Sequence, residues 1–287
     1  MKTPFAKALA AILLFSVSSN KIFAFSPVNP EDTTRKALLS PGDNKNETLV
    51  VLKEANVAFP AILTGNEAQS LDYIEKFFIS RKNYLVHTYE RSKKLFPKAA
   101  SILKKYNVPE EFKVLLALES GFNPNAVSAA GAVGYWQIMD GVAREYGLKI
   151  AGRKIKRSGK IVNKKHHIKI ITTDDRKNFS KSTQAAARYL KDRCRNLNND
   201  CLLIAASYNC GVGNVWNAME KTGKANPTFW DIKNYLPTET RTYVMNFIAL
   251  NVFFNNYENF SKNTLCFKPV TCKKESIELV DCCTSSL

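Results

Sequence analysis

An apolar helix with an abrupt end constrains the fold of this chain more than any other feature. Its buried side is predicted to consist of four residues at helical spacing, Phe112, Leu115, Leu116 and Leu118. Gly121 permits a left-handed cap at the end of the helix, and Pro124 prevents its continuation. Glu119 therefore lies in the last turn, where the helix dipole is negative and its neighbours are apolar. We expect the pKa of its carboxyl group to be raised.

The segment that follows has the sequence SAAGAVGYWQIM and contains the residues expected in a binding groove. Gly131 and Gly134 allow tight turns and the close approach of another molecule. Tyr135 and Trp136 offer flat apolar faces, and Gln137 offers an amide that both donates and accepts hydrogen bonds. A proton donor beside a groove lined by aromatic rings and an amide is what the cleavage of a sugar chain requires.

Four short motifs occur in order along the chain: Glu119-Ser120, Gly134–Met139 (GYWQIM), Ser207–Asn209 (SYN) and Leu236–Val244 (LPTETRTYV). Together they resemble the catalytic domain of lytic transglycosylases of the SLT type, across residues 75–255. The resemblance implies an all-α, mainly helical fold like that of goose-type lysozyme. The chain departs from the family at Ser207, where Ala is usual, and in a basic stretch at 149–171 that is longer than expected.

The resemblance also assigns candidate site residues. It implies that Glu119 is the catalytic acid and base, and that Tyr243 reaches back to orient it. The substrate-binding residues that it implies are Ser120, Gln137, Met139, Tyr208, Asn209, Glu239 and Tyr243. For Glu239 two roles stay open, one toward the peptide of the substrate and one structural, in a pair with Arg241. The resemblance implies no metal and no cofactor.

Cleavage of a glycosidic bond needs a proton on the leaving oxygen and a stabilised oxocarbenium-like sugar. In the family that this chain resembles, one Glu donates that proton and then accepts one from the 6-hydroxyl of N-acetylmuramic acid (MurNAc). The product is a 1,6-anhydro end where the bond to N-acetylglucosamine (GlcNAc) was. The sequence suits a reaction with one carboxylate, because no Asp or Glu occurs between Glu119 and Asp140. The alternatives are a lysozyme-like hydrolase, a non-catalytic wall-binding protein and a secreted polyanion-binding protein.

The formal charge of the chain is +17, which indicates an anionic partner. Nucleic acid and the bacterial wall are both polyanions, and the N-terminus favours the wall. Lys2 and Lys7 precede the apolar run Ala8–Val17, and small residues near Ala24 supply a cleavage site. This layout predicts a signal peptide at 1–24 and an exported protein, periplasmic or secreted. No cysteine precedes Cys194, so we expect no lipid anchor at the signal junction and no stable membrane attachment.

The domain organisation follows from changes of pattern along the chain. A flexible leader is predicted at 25–67, the catalytic domain at 68–260 and a cysteine-containing tail at 261–287. The stretch 149–171 is predicted as a basic insertion, either a solvated loop or a flap that binds polyanions. Partial alternation of apolar and polar residues there, with a turn at Ser158-Gly159, predicts a small β-hairpin.

The chain has seven cysteines, which in an exported protein predicts disulfides and at least one remaining thiol. We expect a disulfide between Cys194 and Cys201, with two buried thiols as the alternative. Cys210 is the candidate for the unpaired thiol. The tail cysteines lack the spacing and the histidines of a zinc site.

Overall fold

The structure is a computed structural model in which residues 49–152, 154–156, 168–170 and 172–273 are described. Most of these residues are helical, so the prediction of a mainly α fold is confirmed. The predicted signal peptide at 1–24 lies outside the described residues. Among those residues, no helix is both long enough and apolar enough to cross a membrane.

The α-helices within the described residues are α1 (Glu67–Ser80), α2 (Lys82–Ser92), α3 (Phe96–Lys105), α4 (Leu115–Ser120), α5 (Asp140–Glu145), α6 (Phe179–Asn196), α7 (Cys201–Cys210), α8 (Val212–Glu220), α9 (Phe229–Ile232), α10 (Thr238–Asn255) and α11 (Tyr257–Ser261). The short strands are β1 (Leu49–Lys53), β2 (Lys154–Lys156), β3 (Ile168–Ile170) and β4 (Val270–Lys273). Turns of 3-10 helix occupy 61–63, 110–114, 175–177 and 233–235.

A first compact unit comprises Phe59–Phe254 and contains all four sequence motifs described above. Its core is built on α7, which is buried around most of its circumference, and on α10. The α10 side chains that are completely buried include Val244, Phe247, Ile248, Leu250 and Phe253. Helices that are apolar on all sides are typical of the centre of a domain, where neighbours cover every face.

The described part of a second compact unit consists of residues 49–58 and 255–273. In this unit β1 pairs antiparallel with β4, with Val50 opposite Cys272. The side chain of Asn256 accepts a hydrogen bond from the Ala58 amide at 2.9 Å and donates one to the Ala58 carbonyl at 2.6 Å. The described part of the predicted leader therefore includes a paired strand, while the predicted domain boundaries remain predictions.

The basic insertion contains the predicted β-hairpin, since β2 and β3 pair antiparallel with Ile155 opposite Lys169. The turn predicted at Ser158-Gly159 lies outside the described residues. Asp175 closes the base of the insertion. Its amide donates to the Lys149 carbonyl at 2.8 Å, and its carboxylate accepts from the Lys149 amide at 3.0 Å.

The expected Cys194–Cys201 disulfide is wrong, because both residues are free and buried thiols. The Cys201 thiol instead donates a hydrogen bond to the carbonyl of Ile62 at 2.9 Å. Burial raises the pKa of the Cys201 thiol to about 12. Cys194 and Cys201 are therefore two buried thiols, which was the alternative to the disulfide in the sequence analysis. A buried, protonated thiol packs as a small apolar side chain. Cys210 is also free, as predicted, and is half-buried.

Candidate active site

Glu119 is placed by a helix that ends as the sequence predicts. The 3-10 turn at 110–114 leads into α4, and Gly121 caps that helix with a left-handed φ of 55°. The amides of Gly121 and Phe122 donate to the carbonyls of Ala117 and Leu116, at 3.1 and 3.2 Å. These bonds satisfy carbonyls at the helix end and fix the direction in which the chain leaves it.

Among the described residues, one side chain donates a hydrogen bond to the carboxyl group of Glu119. The phenol of Tyr243, on α10, donates to its Oε1 atom at 2.5 Å, so the predicted contact between these residues is present. Burial raises the pKa of Glu119 to about 7, the Tyr243 hydrogen bond opposes this rise, and the negative charge of Glu239 adds to it. The predicted direction of the shift is confirmed. Its largest cause is removal from water, whereas the prediction had also invoked the helix dipole.

Two further tyrosines, Tyr208 and Tyr189, are near enough to feel the charge of this carboxyl. The phenol of Tyr208 donates to the Trp136 carbonyl at 2.8 Å, and its ring lies edge-on to Tyr189 at 5.5 Å. The charge of Glu119 contributes to the raised pKa of both phenols, which places both rings within its electrostatic reach. Sequence reasoning missed Tyr189. In the sequence, Tyr189 is marked only by its position beside the small buried residues of α6. Any tyrosine in a core has such neighbours, so this position does not indicate a site residue.

The loop after α4 folds back on itself beside Glu119. Val133 forms isolated bridges with Val127 and Ile138, which makes a tight double bend. The hydroxyl of Ser120 donates to the Tyr135 carbonyl at 2.8 Å. The Ser120 hydroxyl thus bonds the backbone of this loop, while its predicted role in substrate binding stays a prediction.

The two aromatic residues of this loop are not equivalent. Trp136 is completely buried, and its indole donates to the Thr183 hydroxyl at 2.9 Å. The expectation that Trp136 offers a flat face to a ligand is therefore wrong, because the ring belongs to the core. Tyr135 remains half-exposed and lies edge-on to Phe179 at 5.3 Å.

Gln137 has a left-handed backbone, with φ of 44°. Its side-chain amide donates to the carbonyls of Ala126 at 3.1 Å and Gly134 at 3.0 Å. Both donors of this amide are therefore used to hold the loop. Met139, which precedes α5, is half-exposed.

An almost fully buried arginine that sequence reasoning missed holds the far side of this loop. The guanidinium of Arg176 donates to Asp140 at 2.6 Å, to Asp174 at 2.7 Å and to the Ile138 carbonyl at 3.3 Å. It is 4% exposed. Because two carboxylates and a carbonyl satisfy this buried charge, it can fix the segment between Gln137 and α5.

The last predicted residues lie at the junction of α7 and α10. Asn209 accepts a hydrogen bond from the Thr240 hydroxyl at 2.7 Å. Arg241 donates to the Thr238 hydroxyl at 2.6 Å, and within the described residues no ion pair joins it to Glu239. The suggested Glu239–Arg241 pair is therefore absent from the part of the chain that the structure describes. The Oε1 atom of Glu239 is buried without a hydrogen-bond partner.

The geometry thus brings together Glu119, Ser120, Tyr208, Glu239 and Tyr243, with the loop of Gln137 beside them. The Glu119 carboxyl, with its raised pKa, lies near the tyrosine phenols and beside the loop that carries Gln137. Such a site can donate a proton and take one back near neutral pH. Among the described residues, no three His, Cys, Asp or Glu side chains are placed to hold a metal ion.

Comparison with known proteins found a family model and curated relatives that match part of this chain. Residues 97–230 match the family model described as the transglycosylase SLT domain. The chain is 32% identical over 186 residues to membrane-bound lytic murein transglycosylase D of Escherichia coli K12. The aligned region covers 64% of this chain and 36% of that relative. It is 26% identical over 132 residues to a putative tributyltin chloride resistance protein of Alteromonas, which covers 46% of this chain and 55% of that relative. The chain thus spans about a third of the length of its E. coli relative.

Two solved structures also resemble the chain. One is an inactive mutant of lytic transglycosylase Slt from Pseudomonas aeruginosa, with 21% identity and a TM-score of 0.43 over 58% of this chain and 24% of that one. The other is the 70-kDa soluble lytic transglycosylase of Escherichia coli, with 16% identity and a TM-score of 0.41 over 72% of this chain and 38% of that one. At these TM-scores neither likeness bears on activity.

Proposed function

We propose that this chain, which carries a transglycosylase SLT domain at residues 97–230, is a peptidoglycan lytic transglycosylase. It breaks the MurNAc–GlcNAc β-1,4 bond and leaves 1,6-anhydro-MurNAc ends. The observation that carries this proposal is the state of Glu119, a buried carboxyl with a pKa of about 7 that is held by Tyr243. A group whose pKa lies near the working pH is suited to act as an acid in one step and a base in the next.

The reaction has two proton transfers at the same carboxyl. Protonated Glu119 gives its proton to the glycosidic oxygen as that oxygen leaves the anomeric carbon. The resulting carboxylate then takes the proton of the MurNAc 6-hydroxyl, whose oxygen bonds to the anomeric carbon and closes the anhydro ring. Water is not consumed, and Glu119 regains its proton. Tyr243 holds the carboxyl in place, and the Gln137 carbonyl and Asn209 are assigned to the sugar groove.

A lysozyme-like hydrolase is the second candidate, and one observation favours considering it. Glu239 folds close enough for its negative charge to raise the pKa of Glu119. An inverting glycosidase uses a base carboxylate about 6.5–9.5 Å from the acid to activate water. A non-catalytic wall-binding protein is less well supported, because binding alone does not require a buried and partly protonated carboxyl.

The mass of the products distinguishes the two enzymes. We expect purified peptidoglycan to release fragments with anhydro ends, which are lighter than reducing-end fragments by one water and resist reduction by borohydride. Mass spectrometry at the first time points measures the ratio of the two. Products that are mainly reducing-end muropeptides from the start would show a hydrolase.

Glycan strands are the proposed substrate, and an anionic wall is the proposed surface partner. Nucleic acid is not proposed, because the predicted signal peptide places the protein in the periplasm or outside the cell. The basic insertion is proposed to assist adsorption to the wall, since its cations are Lys149, Arg153, Lys154, Lys156, Arg157, Lys160, Lys164, Lys165 and Lys169, with no acidic residue among them.

Neutralising part of the insertion tests this partner. We expect Lys154, Lys156, Lys164 and Lys165 changed together to Gln to weaken sedimentation with purified wall at low salt. At high salt the difference should vanish, because screening already removes the attraction. Changing four exposed lysines elsewhere, Lys94, Lys98, Lys104 and Lys105, to Gln removes equal charge and should have a smaller effect. Turnover of short soluble glycans should stay unchanged, and its collapse would instead place the insertion in the active site.

A further inference from the structure

The carboxylate of Glu239 lies on the face of α10 that is turned toward the catalytic group. Glu239 and Tyr243 are four residues apart, so their side chains are neighbours on one helix face. The phenol of Tyr243 reaches Glu119 at 2.5 Å. The next helical residue, Thr240, holds Asn209 at 2.7 Å, which fixes this first turn of α10 against the end of α7.

Among the described residues, no ion pair joins the carboxylate of Glu239 to a cation. Its Oε1 atom is buried and has no hydrogen-bond partner. Arg241 donates to the Thr238 hydroxyl at 2.6 Å, and its buried Nε has no hydrogen-bond partner within the described residues. A carboxylate oxygen without a donor is costly to bury, because it loses water and gains nothing in return. Because the fold bears this cost, we look for a function of the Glu239 charge in the neighbouring site of Glu119.

The other groups that face Glu119 are neutral near pH 7. They are the phenol of Tyr243 on α10, the phenol of Tyr208 on α7 and the phenol of Tyr189 on α6, each with a raised pKa. Behind Tyr189 lie the guanidinium of Arg193, at 4.8 Å from the ring centre, and the Cys210 thiol, whose pKa is raised by burial. Two carboxylates act on this group of side chains: the charge of Glu145 contributes to the raised pKa of Tyr189, and the charge of Glu239 contributes to the raised pKa of Glu119.

We propose that Glu239 works through Glu119, and that its charge keeps the catalytic carboxyl in the proton-bearing form that the first step of cleavage needs. This inference rests on the proposed function of Glu119 as the acid. It gives Glu239 a role that requires neither contact with substrate nor activation of water. It also predicts opposite effects for the two α10 residues, because Glu239 favours the protonated form of Glu119 and the Tyr243 hydrogen bond favours the ionised form.

The titration of Glu119 tests the inference without relying on turnover. Glutamate carboxyl carbons labelled with ¹³C are titrated by NMR in the full chain and in Glu239→Gln, with Glu119→Gln identifying the signal. We expect the Glu119 midpoint to fall by about half to one pH unit when the charge is removed. Glu220→Gln, which removes an exposed charge on α8, should leave the midpoint in place. Glu239→Ala, a second neutral variant that suits a helix, serves if the Gln variant does not fold.

The pH dependence of cleavage gives the second readout, on glycan strands stripped of their peptides. In Glu239→Gln the decline of activity on the alkaline side should move to lower pH, and the rates of parent and variant should converge in acid. A loss of equal size at every pH would overturn the inference and make Glu239 a substrate ligand or a water-activating base. An unmoved Glu119 midpoint would overturn it as well. Reducing-end products from the parent would instead contradict the proposed function, while the NMR midpoint would still decide the electrostatic role.

Discussion

Replacing Glu119 by glutamine is expected to reduce wall cleavage by more than about 10⁴-fold, beyond the usual range for one acid–base group. The loss is larger because the same carboxyl serves both proton transfers. Glutamine keeps the shape of the side chain and can still accept the Tyr243 hydrogen bond, yet it cannot release a proton. Turnover of purified peptidoglycan measures the effect, with Glu220→Gln as the control for removal of an exposed carboxylate. Activity within about tenfold of the parent would contradict the assignment of Glu119.

The same substitution should make the protein more stable at neutral pH. The pKa of Glu119 is about 7 in the folded chain and near 4.5 when unperturbed, so the folded state binds this proton more tightly. The stability that the proton contributes is complete below pH 4.5 and is lost as the pH rises through about 7. The gain in the free energy of unfolding on Glu119→Gln is at most about 3 kcal/mol. It is smaller in practice because Glu119 keeps some solvent exposure. Thermal unfolding at pH 8 and pH 4 should show a gain only at the higher pH.

This pairing of lost activity with gained stability separates a catalytic role from a structural one. A carboxyl that merely supported the fold would lower the unfolding temperature when it was replaced. A carboxyl kept in an unfavourable environment for the sake of its chemistry raises that temperature instead. The expected opposite signs come from one cause, the burial of Glu119 among Tyr243, Tyr208 and Tyr189.

The sequence alone predicts those parts of the site that depend on local chemistry. The end of α4 is one, because Gly121 and Pro124 dictate where a helix stops whatever lies around it. Outside the site, the hairpin of the insertion is a second feature that local sequence predicts. The contact of Tyr243 with Glu119 spans 124 residues, and the resemblance to a family supplied it. No local rule could have done so.

Other features depend on packing between distant elements and escaped prediction. Trp136 appeared suited to a ligand, but Thr183 on α6 satisfies its indole and the core encloses its ring. Ser182 and Thr183 are of residue types that are common at a helix start, yet α6 begins earlier and the side chain of Asn178 caps it. Serine and threonine can bond the preceding turn from inside a helix, as these two do, so their presence alone does not mark a helix start.

Gly134→Ala is expected to destabilise the fold by about 4 kcal/mol or more, a size reserved for severe steric conflicts. Gly134 has a φ of 83°, and a methyl group there would overlap the carbonyl oxygen of Arg176 and lie 2.7 Å from its carbonyl carbon. Both atoms are backbone, and the buried guanidinium of Arg176 anchors that backbone to Asp140 and Asp174. The backbone of Arg176 therefore cannot move away from residue 134 without breaking the hydrogen bonds of its guanidinium to Asp140 and Asp174.

Two other glycines separate backbone strain from the steric overlap. Gly131 has a φ of 86° with nothing within 4 Å of an added methyl, so Gly131→Ala carries the strain alone, about 1–2 kcal/mol. Gly141 lies in α5 with an ordinary φ and open space, so Gly141→Ala should be neutral or stabilising by about 0.5–1 kcal/mol. Urea unfolding of the three variants measures the series. If Gly134→Ala costs no more than Gly131→Ala, the close packing of this loop on Arg176 is not what holds Ser120 and Gln137 beside Glu119.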